Sequence, residues 1–346
     1  MGLLAPDIDL TTEPRALKRA LGEYRLPRLA RSIVELMVTL IPFVSLWILM
    51  WGTLNAGYWF GLLFALPAAG FLVRLFMIQH DCSHGAFFPS RSANDWVGRA
   101  IGVLTLTPYD LWRHSHALHH ASSGNLDRPR VGDIDTLTVR QYRKLPRMQR
   151  LRYRLYRHPL VMFGLGPAYL FLLDHRLPVG FMRAGRMPWL STMGTNAAIA
   201  LIVTTMIWLV GLIPFLLVQL PITLLASSIG VWLFYVQHQF EDTLWEHDTD
   251  WTFHEAALYG SSHYDLPGPL RWLTANIGIH HVHHLCSRIP FYRLPEVLRD
   301  HPELRHIGRL TLRQSLQSLR LVLWDEETRR LVSFAEAHTA ATDRTC

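Results

Sequence analysis

The sequence predicts an all-α integral membrane protein, with four transmembrane helices in two hairpins and a cytoplasmic helical domain holding a dinuclear metal site. Three observations predict it. Two long stretches of chain carry no charge at all. The basic residues crowd into the segments outside those stretches. Histidines gather in three tight clusters within the same segments.

The uncharged stretches run from Met37 to Val73 and from Met187 to Phe240. A membrane crossing takes about 20 apolar residues, so each stretch is too long for one span and suits two. Each has breakers near its middle, Gly52 to Gly57 and Gly211 to Pro214. The expected spans are 32–51, 57–78, 192–212 and 215–236. Composition agrees, with 50% hydrophobic and only 18% charged residues, against roughly 25% charged in soluble domains. Buried helices of a soluble core would need two such runs by accident.

Charge sets the expected orientation. Between Met77 and Trp189 there are 16 Lys or Arg, and the hairpin tips have none. By the positive-inside rule, the N-terminus, the middle segment and the C-terminal segment are cytoplasmic. The net charge of +7 therefore follows the membrane and does not point to nucleic acid. The chain divides into a cytoplasmic arm (1–31), a first hairpin (32–78), a cytoplasmic segment (79–186), a second hairpin (190–236) and a final cytoplasmic segment (237–346). The opening thirty residues are charged and mixed, so no signal peptide is expected there.

Within the middle segment, Ala100–Tyr109 and Leu160–Leu173 are apolar but short, and read as interfacial or re-entrant helices. Arg140 to Arg157 mixes basic residues with Tyr142, Tyr153 and Tyr156, a pattern suited to a helix on anionic headgroups. Cys82, Cys286 and Cys346 are too few and scattered for a disulfide framework, and Cys82 and Cys286 read as packing residues.

The clusters carry the chemistry. They are His80-Asp81-Cys82-Ser83-His84, His116-Ala117-Leu118-His119-His120 and His280-His281-Val282-His283-His284. Spacings of three and four place side chains on one helix face, about 5–6 Å apart at Cβ. The eight histidines His80, His84, His116, His119, His120, His280, His283 and His284 exceed what one zinc ion uses and suit two first-row metal ions. Ligand type alone leaves iron, zinc, copper and nickel open. All three clusters fall on one side of the membrane. A zinc-protease reading of His80 to His84 fails, because Asp81 is one methylene shorter than the Glu needed as base.

Here the sequence resembles a known family. HDCSHGAFF (80–88), WRHSHALHHASSGNLDRPRVGDIDTLTV (112–139) and NIGIHHVHHLCSRIPFYRLPEV (276–297) look like the boxes of membrane-bound histidine-box fatty acid desaturases, closest to the bacterial and plant Δ12 (ω-6) type. The likeness spans roughly residues 30–300 and makes 1–346 a single desaturase domain. It implies two iron ions, activation of O2, and removal of two hydrogens from an acyl chain to leave a double bond. It also implies an acyl lipid substrate, a glycerolipid by preference, in the bilayer of a bacterial cytoplasmic membrane. No HPGG-type cytochrome b5 motif occurs, so ferredoxin or a similar separate donor is expected. Related acyl-CoA desaturases place a further histidine ligand at the end of the fourth span, which here is His238.

The departures are small. Ser83 stands where relatives often have Gly, His114 is an extra histidine, and Asp135 replaces a residue often apolar or aromatic. His281 lies off the stripe of its neighbours, so a supporting or surface role is expected. Asp81, Asp133 and Asp242 are candidates to orient ligating imidazoles. Arg74 sits in the last turns of span two and could snorkel to the headgroups. His158, His175, His247, His254, His263, His301, His306 and His338 are isolated and receive no role. The nearest rival is a carotenoid or sterol hydroxylase or ketolase built on similar boxes. A haem electron carrier or metal transporter would want histidines or polar ligands within the spans, and none lie there.

Overall fold

The computed structural model describes residues 14–128 and 131–342. Part of the N-terminal arm, Pro129 and Arg130 of the second motif, and Cys346 lie outside the described residues.

A short helix α1 (Pro14–Gly22) leads to α2 (Leu29–Asn55), a 3₁₀ segment (Trp59–Phe64) and α3 (Ala65–Ser83). Then come α4 (Arg91–Leu104), α5 (Tyr109–Ser122), α6 (Val139–Lys144), α7 (Arg147–Tyr156), a π-helical turn (Val161–Leu165) and α8 (Gly166–Leu172). The long helices α9 (Arg186–Val210) and α10 (Leu212–His238) follow, and then α11 (Phe253–Tyr259), α12 (Gly268–Leu273), α13 (His280–Leu285) and α14 (Leu294–Asp300). Helices α15 (Leu312–Ser315) and α16 (Phe334–Thr342) complete the described chain.

Four stretches are long and apolar enough to cross a membrane: Leu29–Asn55, Trp59–Ser83, Arg186–Val210 and Leu212–His238. They enclose the expected spans 32–51 and 215–236, while the second begins at Trp59 instead of 57 and runs on to Ser83, and the third begins at Arg186 and stops at Val210, ahead of the expected 212. Gly211, at φ 87°, separates α9 from α10. Such a left-handed backbone favours glycine, so the break is written in the sequence. Helix α9 buries nothing in its most apolar window, and Trp208 is 81% exposed. An apolar band of that extent requires an apolar solvent.

Helix α3 is the hub, packing against α2, α4 and α10. Helix α9 leans on α4 and α5 as well as on α10. Arg74, on α3, does not snorkel. It is buried, forms an ion pair with Glu35 of α2, donates from Nε to Thr39 Oγ1 at 3.1 Å, and lies 4.0 Å from the centroid of Trp272. The pair ties α2, α3 and α12 together. Removing one partner would strand a buried charge, at a cost of about 3–5 kcal/mol.

Three other expectations change. Residues 100–104 are the end of α4, whose Asn94, Gly98, Ile101 and Gly102 are buried, and not a separate interfacial helix. The basic run 140–157 breaks at Pro146 into α6 and α7, and Tyr142 and Tyr153 turn inward to pack with Phe334. Met148, Leu151 and Leu155 form the exposed apolar side. The fold is mostly helical but not wholly so. Strands β1 (Leu137–Thr138), β4 (Leu323–Asp325) and β5 (Arg330–Val332) form one small sheet, and β2 (His263–Asp265) pairs in parallel with β3 (Arg309–Thr311). Strands of two or three residues are too short for alternation to betray them.

Candidate metal centre

Each histidine cluster starts or ends a helix. His80 and His84 close α3, His116 to His120 lie on α5, His280 to His284 form most of α13, and His238 is the last residue of α10. The entry to α13 is tightly built. Ala275 and Asn276 have φ 52° and 54°, and a Cβ on Gly278 would lie 2.3 Å from the Tyr264 carbonyl oxygen. Only glycine fits that approach. The first amides of α13, those of His280 and His281, donate to the Ser262 carbonyl at 3.1 and 3.3 Å.

The nine predicted histidines converge in two groups whose nitrogen atoms lie within 4.8 Å of one another. One group holds His80, His84, His116, His120 and His283; the other holds His119, His238, His280 and His284. Helix geometry explains the split. Residues four apart share a face, so His80/His84, His116/His120 and His280/His284 stay together. His119 and His283 point to the opposite group from the pair in their own box. Each HxxHH box thus serves both groups, and His238 completes the second.

Burial is nearly total, with only His84 and His120 half-buried. Burial, reinforced by neighbouring imidazoles, holds His84, His116, His120, His280, His283 and His284 well below the ordinary histidine pKa. At neutral pH they are uncharged and present lone pairs.

The hydrogen bonds show where those lone pairs point. His238 Nδ1 is 3.1 Å from the Gly260 carbonyl, which can only accept, so the proton is on Nδ1 and Nε2 is bare. His119 Nδ1 is 2.5 Å from Asp133 Oδ1, which fixes the same tautomer. Its Nε2 is buried and has no hydrogen-bond partner among the described residues. Nε2 atoms face one another at 3.1 Å in His116–His120, His120–His283, His280–His284 and His238–His280. Each Nε2 offers one site, a proton or a lone pair, yet His120 and His280 each sit in two of these contacts, so they cannot all be good hydrogen bonds. Facing lone pairs repel unless a cation lies among them. The donor set fits metal ions that accept imidazole.

The remaining candidates sort cleanly. Asp81 Oδ1 sits 3.3 Å from His80 Nδ1 while its Oδ2 accepts the Phe291 amide at 2.7 Å. Asp242 is exposed and belongs to neither group. His281 is not a surface residue. It is fully buried and its Nε2 donates to the Leu304 carbonyl at 2.8 Å, which leaves no Nε2 lone pair for metal. Its pKa is pushed down to about 3 by burial first. His114 packs on Phe181 at 5.3 Å, outside both groups. Cys82 and Cys286 join neither group. The Ser83 hydroxyl donates to the His80 carbonyl at 2.6 Å. His175, His247, His263 and His301 bond elsewhere, to Leu106, Asp127, Arg305 and Glu303.

Sequence reasoning missed two contributors. Trp112 stacks on His116 at 4.5 Å and 14°, and its position one turn earlier on α5 could have revealed it. The Gly260 carbonyl left no trace, since a backbone atom has no residue signature.

Beside the centre lies an apolar cavity of about 190 Å³, reaching His80, His116 and His280. Leu72, Val73, Phe76 and Met77 form its α3 wall, and Leu233 and Phe234 its α10 wall. Leu104, Phe171 and Thr223 are shared with a second cavity of about 570 Å³ between α2, α9 and α10. Together they trace an apolar path from the histidines to the span region.

Comparison with known proteins agrees with this site. The Fatty acid desaturase family model matches residues 53–314. The chain is 45% identical over 322 residues to a fatty acid desaturase of Bacillus subtilis, covering 92% of this chain and 90% of that one. It is 31% identical over 235 residues to the Synechocystis sn-1 acyl-lipid omega-3 desaturase (ferredoxin), covering 64% and 61%. It is 29% identical over 238 residues to the sn-1 oleoyl-lipid 12-desaturase of Synechocystis, covering 64% and 63%.

Proposed function

This chain belongs to the fatty acid desaturase family, and from that premise we propose that it is an O2-dependent di-iron enzyme that sets a cis double bond into an acyl chain carried on a membrane glycerolipid. The enzyme is an oxidoreductase acting on fatty acids. The observation that carries the reading is the junction of two nitrogen-rich groups with an apolar cavity at His80, His116 and His280.

In this reading one iron ion is held by His80, His84, His116, His120 and His283, and the other by His119, His238, His280 and His284. The pair supplies the oxidising power to break unactivated C–H bonds, which no side chain can do unaided. The protein does the rest. Asp133 and the Gly260 carbonyl fix the tautomers of His119 and His238. Trp112 clamps the His116 ring from one side. Leu72, Phe76, Leu233 and Phe234 wall the cavity that takes the chain and exclude water. Thr105 and Gln237 would be polar hazards in such a cavity, but they are satisfied by Gln79 Oε1 at 2.7 Å and the Ile277 carbonyl at 3.2 Å.

The four apolar helices form two hairpins in the cytoplasmic membrane of a bacterium, with the histidines on the cytoplasmic side. Support comes from the basic segments that flank the spans. Electrons come from a ferredoxin-like donor; the Synechocystis relative that carries ferredoxin in its name supports this choice.

The test is mass spectrometry of total lipids from the native host with and without the gene. The expected result is a class of acyl chains two mass units heavier after deletion, with fragmentation locating the lost double bond. Disappearance of a hydroxylated or keto lipid would replace desaturation with oxygen insertion. No change in any lipid would overturn the substrate assignment.

A further inference from the structure

Among the described residues three sizeable openings reach the histidines, and their chemistry differs; a further crevice at His238 holds only about 10 Å³. The first is the apolar cavity described above. The second, about 700 Å³, meets His84 between α4, α5 and the start of α9, and its charges are mixed. There Arg113 bonds Asp95 at 2.6 Å, and Asp110 bonds Arg99 at 2.9 Å. The third, about 490 Å³, meets His120 and His284, and its charges have one sign. Lys18, Arg25 and Arg288 ring it, Arg288 being shared with the second opening, and no Asp or Glu lines it among the described residues. All three cations are exposed and none makes an ion pair among the described residues. Phe253, 47% exposed, adds an aromatic edge.

This basic rim is held in place. Helix α1 buries Leu17 and Leu21 while Arg15, Lys18 and Arg19 face outward. The turn after it is pinned by Tyr24, whose hydroxyl donates to Asp300 at 2.9 Å, and by Arg293, which donates to the Glu23 carbonyl at 3.0 Å. At the floor, the rings of His120 and His284 stack at 4.2 Å and 23°. One belongs to each ligand group, so the opening leads to the contact the two groups share.

Resting on the desaturase reading, the reaction needs electrons: an acyl –CH2–CH2– unit, O2, two electrons and two protons give –CH=CH– and two waters. Two electrons come from the substrate and two from outside. We propose that the opening ringed by Lys18, Arg25 and Arg288 is the docking surface for an acidic one-electron carrier protein. Like-signed charges spread around a rim steer and orient a partner of opposite sign; a small anion would want them converging on a point. The mixed second opening has no such field, and the first is apolar. Contact at the His120–His284 stack delivers each electron close to both groups at once.

The experiment uses the full chain in nanodiscs and a reduced plant-type ferredoxin as the acidic probe. Affinity is measured against salt for the native chain, for the triple variant K18E/R25E/R288E, and for R91E on the rim of the second opening. The iron content and thermal midpoint of each variant check the fold. The triple variant should bind at least about tenfold more weakly and lose most of its salt dependence, while R91E stays within about twofold of native. Unchanged affinity in the triple variant, or an equal loss in R91E, would overturn the proposal. So would a triple variant that loses binding to phosphatidylglycerol vesicles but keeps ferredoxin, since the patch would then serve the membrane surface. Ferredoxin bound through this rim by a chain whose deletion changes no lipid would sink the desaturase reading and leave the docking surface standing.

Discussion

The two groups of histidines share α5 and α13, differ in that the first adds α3 and the second α10, and are held by different means. The first has five members, and among the described residues only His80 has a carboxylate at its Nδ1, Asp81 at 3.3 Å. The second has four members, and two of them are aimed by partners at 2.5 and 3.1 Å, Asp133 and the Gly260 carbonyl. The first group is rich in ligands and reaches the surface through half-buried His84 and His120. The second is poorer in ligands, wholly buried, and oriented by its surroundings. A surplus ligand and a fixed tautomer are two ways to the same end, a set of lone pairs that arrive together. The difference teaches where each group is fragile: the first to loss of His283, the ligand that ties it to the third box, and the second to loss of any one member or its support.

The largest effects should come from the histidines that cross between boxes and groups. His119→Ala and His283→Ala should each lower desaturation by more than about 100-fold, beyond the range set by losing an orienting partner. Both variants should still insert in membranes. Acyl-chain analysis and iron content of the purified protein check this, and full activity in either would remove that residue from the centre. Next, His238→Ala and His84→Ala set the two groups against each other. The first cuts a group of four to three; the second leaves four of five in place. His238→Ala should retain about half the native iron, and His84→Ala distinctly more. Equal iron in the two would erase the contrast.

A finer comparison pits the supports. Asp133→Asn removes the carboxylate that fixes the His119 tautomer and should cost roughly 10–100-fold in iron affinity or activity. Asp81→Asn should cost less, because Asp81 already spends one oxygen on the Phe291 amide and stands farther from its histidine. Iron titration of both variants reads the ratio, and a larger loss in Asp81→Asn would reverse the ranking of the groups.

Much of this was legible in the sequence, for identifiable reasons. The spans were visible because charge is excluded from hydrocarbon, and the boxes because i,i+3 and i,i+4 spacing leaves a mark. His238 was reached through the resemblance to acyl-CoA desaturases, which places a further ligand at the end of the fourth span. The partition into two groups was not visible, since it depends on how α5 and α13 face each other. Arg74 looked like a snorkelling residue because its partner Glu35 lies 39 residues away on another helix. Lys18 and Arg25 lay in an arm that read as merely polar, and nothing local showed that α1 folds back over the histidines. The short strands that tie the C-terminal segment together fell below the length at which any period can be read.

The smallest expected effect on chemistry belongs to a histidine inside the third box that joins neither group. His281 is fully buried, donates to the Leu304 carbonyl at 2.8 Å, and packs 5.7 Å from the ring of His263. Its neighbours at 280, 283 and 284 point to the metal groups, while it points to the segment after α14. It therefore acts as a strut between α13 and the C-terminal segment. His281→Ala leaves the Leu304 carbonyl unpaired in a buried place, which costs about 1–3 kcal/mol. Thermal unfolding should show that loss as a lower midpoint, with iron content per folded chain unchanged. If iron fell in step with His283→Ala instead, the division between ligating and supporting histidines in this box would have to be redrawn.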